Sequence, residues 1–166
     1  MLTAQKITHT HDADDHVTLD YDARFLRRKV LMTDKGDHVL VDLPKTTSLN
    51  AGDAFEATNG TLIGIVAAPE PLLEITGQDL HRIAWHIGNR HTPCQIETDR
   101  LLIQQDHVMA SMLAQLGAHV LDVVEPFTPE GGAYGHGRTH GHDHSAQHGP
   151  DHMHDHGHSH GHSDDD

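Results

Sequence analysis

Beyond Tyr134 the chain has only two apolar residues, Ala146 and Met153, in a stretch built mostly of Gly, His, Asp and Ser. Such a segment cannot bury enough apolar surface to offset the entropy of ordering, so residues 131–166 are expected to be a disordered tail. A compact fold must therefore come from roughly the first 130 of the 166 residues. That length allows one domain or two small ones.

The period of the apolar residues separates two halves. Up to about residue 70 the pattern is short β-type runs, such as His16–Tyr21, Lys29–Thr33, His38–Leu43 and Thr61–Val66, broken at Asp34-Lys35-Gly36-Asp37, Pro44, Asn50–Asp53 and Asn59-Gly60. Asn59-Gly60 is the strongest hairpin signal, because both central positions of a type I′ turn need positive φ. Ala68-Pro69-Glu70-Pro71 reads as a linker. After it, Leu80, Ile83, Ala84 and Ile87 fall on one helical face over 78–88, with Gly88 as the expected stop. A second helix is expected after Asp106 as N-cap, with Val108, Met109, Met112, Leu113 and Leu116 on its apolar face and Gly117 as its end. Strand-like runs at Leu72–Thr76, Cys94–Glu97, Arg100–Gln104 and His119–Val124 complete the order β-α-β-β-α-β, the ferredoxin-like arrangement. The fold class is thus α+β: an all-β domain over 1–70, a ferredoxin-like domain over 71–130, and the tail over 131–166.

Charge and composition narrow the function. Eleven Lys and Arg against 25 Asp and Glu give a net charge of −14, which disfavours nucleic acid and anionic membrane as partners and favours cations. One cysteine, Cys94, allows no internal disulfide. No apolar run approaches the ~20 residues of a membrane helix, and the N-terminus lacks an apolar signal core, so the expected location is the cytoplasm.

Eleven of the 20 histidines lie in the tail: His136, His140, His142, His144, His148, His152, His154, His156, His158, His160 and His162. Neutral imidazole is a ligand for Ni, Zn, Cu and Fe, and alternating imidazoles offer many near-equivalent ways to hold one ion. That supplies capacity and not one fixed geometry. The interspersed aspartates are unlike a purification tag. In the folded part the densest cluster is Trp85-His86-Ile87-Gly88-Asn89-Arg90-His91-Thr92-Pro93, with His86 near the helix end and His91 in the loop after it. A two-fold axis through His91 would supply two imidazoles, and tail imidazoles could complete the sphere. The simpler reading of the spacing is that a cationic side chain sits well at a helix C-terminus. His107 can be a ligand or merely follow the cap at Asp106. His81, His119, His38, His9, His11 and His16 read as surface imidazoles, and Cys94 as a small core residue. No nucleophile set or phosphate loop is recognisable, and His140-Gly141-His142-Asp143-His144 lacks the rigid loop of a zinc hydrolase, so an enzyme is not expected.

The run Trp85-His86-Ile87-Gly88-Asn89-Arg90-His91-Thr92-Pro93-Cys94-Gln95-Ile96, then Asp106-His107-Val108, then Pro126-Phe127-Thr128-Pro129-Glu130-Gly131-Gly132-Ala133-Tyr134-Gly135 before the tail, resembles the UreE family of urease accessory nickel metallochaperones. The resemblance implies an N-terminal domain associated with peptide binding and a homodimer whose central nickel site pairs the residue matching His91. It also implies secondary ligands at the positions of His107 and Gln105, where some members have His at the latter. The cargo would be Ni(II), with Zn(II) or Cu(II) as competitors. Delivery would go to the urease accessory GTPase and the apo-urease accessory complex. The alternative is a general transition-metal buffer without a delivery partner.

Overall fold

The structure, a computed structural model, describes residues 1–131. Six strands make the first sheet: β1 (Leu2–His9), β2 (Asp15–Leu19), β3 (Phe25–Met32), β4 (His38–Ser48), β5 (Asp53–Ala57) and β6 (Leu62–Ala67), in the spatial order β2-β6-β5-β1-β4-β3. The first half is all-β, as the punctuated runs require. The sheet is mixed, since β1 runs parallel to β4 and β2 parallel to β6. Its core is Ala4, Val17, Leu26, Leu31, Val39, Val41, Leu43, Leu49, Phe55, Ile63 and Ile65.

Three local expectations change here. The hairpin around Asn59-Gly60 forms between β5 and β6, but only Gly60 has positive φ, at 87°. Gly60 N–H donates to the Ala57 carbonyl at 2.8 Å, and Ala57 N–H to that of Thr61 at 2.9 Å. This is a three-residue loop closed by a left-handed glycine rather than a type I′ turn. Pro44 does not end its strand, because β4 continues through it where the β3–β4 register shifts and no ladder bond is needed. Ala68-Pro69-Glu70-Pro71 is not a loose connection either. β7 (Pro69–Thr76) begins there and pairs with β10 (His119–Pro126) along its whole length. Its two prolines fit because this end of β7 extends past the third strand and has one neighbour only.

The second half follows the order β7, α1 (Leu80–Asn89), β8 (Gln95–Ile96), β9 (Leu101–Gln104), α2 (His107–Gln115), β10, with the antiparallel sheet order β10-β7-β9-β8. That order is the ferredoxin-like topology. Leu73, Ile75, Leu101 and Ile103 pack with Ile83 and Ile87 of α1 and with Met109 and Leu113 of α2. Leu72 and Leu102 point the other way, onto Phe127, Tyr21 and Val123. Both faces of the central strands are therefore covered, which is why Leu72-Leu73 and Leu101-Leu102-Ile103 are continuous apolar runs rather than alternating ones.

The two sheets meet at the cluster around Phe127. Arg24, 2% exposed, donates from Nη1 to Leu19 O at 3.0 Å and from Nη2 to Phe127 O, and its guanidinium lies 5.6 Å from the centre of the Tyr21 ring. Glu70 accepts from Tyr21 N–H at 2.8 Å and from Gln104 Nε2 at 3.2 Å. On the same face of the second sheet as Leu72 and Leu102, Arg100 gathers Glu74, Glu97 and Glu125 at 2.8, 3.0 and 2.7 Å. Hydrogen bonds from Arg100 hold the Glu125 carboxyl below its ordinary range. Among the described residues no helix is long and apolar enough to cross a membrane.

Candidate metal centre

α1 does not stop at Gly88. It runs to Asn89, with Arg90 as its C-cap, and the chain reverses at His91, which adopts the left-handed conformation at φ 56°. His91 N–H donates to Gly88 O at 2.9 Å and Thr92 N–H to Ile87 O at 3.4 Å. This pair of bonds is the Schellman closure, in which the left-handed position is usually glycine. A histidine there carries a backbone cost of roughly 1 kcal/mol or more. The His91 side chain is exposed at the end of a helix terminus closed by these two hydrogen bonds. Trp85, on the same helix, is 63% exposed, an unusual cost for so large an apolar ring.

His86 is half-buried, with its ring edge-on to Trp85 at 5.1 Å. It lines a shallow cavity with Gln78, Asp79, Arg82 and two residues from the end of α2, Gln115 and Leu116. His107 is the first residue of α2 and is exposed, because Asp106 takes the cap and accepts from Val108 and Met109 N–H at 2.8 and 3.0 Å. It lines a different cavity with Gln105, Asp106, Ala110 and Asp122. The Gln105 amide reaches Asp122 Oδ1 at 3.4 Å, so the side chain at this position serves as a donor rather than as a second imidazole. Among the described residues no three His, Cys, Asp or Glu side chains stand close enough together to hold an ion. A single chain thus presents His86, His91 and His107 separately. The eleven histidines from His136 to His162 lie outside the described residues.

Cys94 sits partly buried against the second core. Burial, followed by the nearby Glu130 carboxylate, pushes its thiol from 9.0 up to about 11. A thiolate is the metal-binding and nucleophilic form, so Cys94 is unsuited to both roles at neutral pH. Alkylation of Cys94 in the folded protein at pH 7.5 is expected to run about 100-fold slower than in urea-unfolded protein, since the rate follows the thiolate fraction. It should rise roughly ten-fold per pH unit until about pH 11; equal rates in the folded and unfolded states would refute this.

The segment after β10 returns to the His91 loop. Thr128 N–H donates to Gln95 Oε1 at 2.8 Å and Glu130 N–H to Cys94 O at 2.8 Å. Gly131, the last described residue, therefore leaves the fold beside the strand that follows His91. Sequence spacing had given no sign of this connection, because the pairing depends on a bond between Glu130 and a loop residue far away in the chain.

Family models match nearly the whole sequence: the N-terminal domain of the UreE urease accessory protein over residues 2–68 and its C-terminal domain over residues 70–162. The second match runs across His91 and into the histidine tail. A urease accessory protein UreE of Ruegeria pomeroyi is 67% identical over 131 residues, covering 79% of this chain and 88% of that protein. The Rhodobacter capsulatus protein of the same description is 59% identical over 127 residues, covering 76% and 81%. One from a Chelativorans strain is 47% identical over 138 residues, covering 81% and 87%. With both of its sheets matched and such relatives covered over most of their length, the chain belongs to the UreE family of urease accessory proteins.

Proposed function

We propose that this protein is a cytoplasmic nickel carrier in urease maturation, acting as an accessory and not as a catalyst. Family membership supports the role in urease maturation. In the proposed working form two copies pair through the face that carries Trp85 and His91, and the two His91 imidazoles share one Ni(II). His86 and His107 lie on surfaces flanking α1 and α2, where they can accept an ion in transit. The tail imidazoles from His136 to His162 serve as the reservoir. The receiving partners are the urease accessory GTPase and the apo-urease accessory complex. Zn(II) and Cu(II) compete for the same nitrogens, and Cu(II) has the higher intrinsic affinity, so cellular supply rather than ligand type selects nickel.

The observation that carries this reading is the exposed, left-handed His91 on a hydrogen-bonded helix end near the strand where residue 131 leaves the fold. A closed dimer would also account for the 63% exposure of Trp85, by covering it. The test is sedimentation of the full chain with and without one nickel per two chains, followed by transfer of radioactive nickel to apo-urease in the presence of the accessory GTPase. Dimers that take up one tightly held ion and pass it on are expected. Protein that stays monomeric with nickel, or that releases nickel no faster to the accessory complex than to buffer, would leave a general metal buffer as the better description.

A further inference from the structure

The first sheet carries a histidine pair that the proposed nickel path does not use. β1 ends at His9, and His11 follows in the connection to β2. Their rings stand edge to face at 81°, with centroids 5.5 Å apart. Two imidazoles bound to one tetrahedral ion, at metal–nitrogen distances near 2.0–2.1 Å, have centroids roughly 5 Å apart. The pair thus already stands at about the spacing that a shared ion requires.

Asp53 faces the first of these rings. His9 is in register with Asp53 across β1 and β5, and His9 Nδ1 lies 3.5 Å from Asp53 Oδ1. The carboxylate is itself anchored, since Asp53 Oδ2 accepts from Asn50 N–H at 2.8 Å. Gly52 precedes it at φ +93°, and a Cβ at that position would stand 3.3 Å from His9 Cε1. The glycine both permits the turn and leaves room for the imidazole to lie against it. A carboxylate that accepts from one ring N–H leaves the other nitrogen as the more basic ligand. Nε2 of His9 is then the atom available for an ion. On the second ring's side, Asp12 N–H donates to Thr10 Oγ1 at 3.1 Å and narrows the path of the chain through His11.

We propose that His9 and His11 form a two-imidazole site for divalent transition ions of the nickel, zinc and copper class, with Asp53 as the residue that orients His9. No third His, Cys, Asp or Glu completes a set among the described residues, so the remaining positions of the ion are filled by water or by an incoming donor. Such a site exchanges its ion readily. It lies on the N-terminal sheet and does not depend on the role given to His91.

The experiment is ¹H–¹⁵N NMR of the full chain under Ni(II) titration, carried to an excess that fills the tail. Paramagnetic broadening of the Thr10, Gly52 and Asp53 amides is expected, together with its loss in a His9→Ala/His11→Ala double variant. His11→Ala alone, outside β1, serves if the double variant unfolds, and the dispersion of the spectrum reports folding directly. Asp53→Asn keeps an acceptor for Asn50 but loses the charge, and should shift the midpoint of the broadening 10- to 100-fold toward higher nickel. Amides at Gly52 and Asp53 that keep their intensity in excess nickel would overturn the site. So would equal broadening in the histidine variants, since the ion would then be held elsewhere. An unchanged midpoint in Asp53→Asn would overturn the role of Asp53. Signals around His91 report separately in the same spectra, so failure of this site and failure of the interface site are told apart.

Discussion

Arg24→Ala is expected to lower the stability of the full chain by about 3–5 kcal/mol, the largest loss foreseen for any single surface-to-core contact in this fold. The reason is the environment of the guanidinium. It is 2% exposed and donates to two main-chain carbonyls, Leu19 O in the first sheet and Phe127 O after the second. Truncation leaves both acceptors facing a void and removes the cation from the Tyr21 face. A buried hydrogen bond to a charged donor is worth about 1.5–3 kcal/mol, and the cavity adds to the loss. Phe127, 0% exposed, packs on Leu72 and Leu102 and meets the Tyr21 ring at 5.4 Å, so loosening Arg24 also loosens the seam between the sheets. Urea unfolding followed by both fluorescence and circular dichroism should show the midpoint falling and the two signals separating, as the sheets lose their common contact. Arg24→Lys should recover part of the loss, because a compact ammonium lacks the planar fork whose two separate nitrogens reach Leu19 O and Phe127 O. A loss under about 1 kcal/mol in Arg24→Ala would mean that the seam is held by the apolar cluster alone.

His91→Gly is expected to move two properties in opposite directions. Glycine adopts the left-handed conformation at no steric cost, so the Schellman closure is kept and the chain gains roughly 1 kcal/mol. The imidazole is lost, and nickel affinity at the interface site should fall at least about ten-fold, with nickel-linked dimerisation falling alongside it. His91→Asn, also tolerant of positive φ, should be more stable than the native protein as well, though by less. His91→Ala removes the ligand while keeping the strain, and so separates the two effects. Thermal unfolding without metal and isothermal titration with nickel read them independently. A glycine variant no more stable than the native chain would remove the argument that the position is strained. Unchanged nickel binding would remove His91 from the site.

The second half of the fold was more legible than the first, for a physical reason. Helical faces and caps are local signals, and Asp106 does cap α2 as its position suggested. In the first half the decisive pairings, β1 with β4 and β2 with β6, are parallel and join segments distant in sequence. β1 carries no readable strand signal, because only Ala4 in it is fully buried and no clear alternation runs between Leu2 and His9. Pro44 and Pro69–Pro71 read as breaks because missing N–H groups usually break strands; here they fall where the ladder makes no demand on them.

For the candidate site, the motif around His91 was readable and its conformation was not. Gly88 absorbed the stop signal, being the residue type that ends helices, while the left-handed turn fell to a histidine. Spacing alone makes His9 and His11 surface imidazoles, because Asp53 comes beside His9 only through the pairing of β1 with β5.

The bond from Glu130 N–H to Cys94 O has a kinetic consequence. His136 follows Gly131 by five residues. However those residues are arranged, a chain of that length reaches at most about 17 Å. One imidazole confined to such a sphere around the exit point has an effective concentration on the order of tens of millimolar. On the proposed carrier reading, transfer of an ion between a tail imidazole and His91 would then be a first-order event within one molecule, whose rate does not change when the protein is diluted.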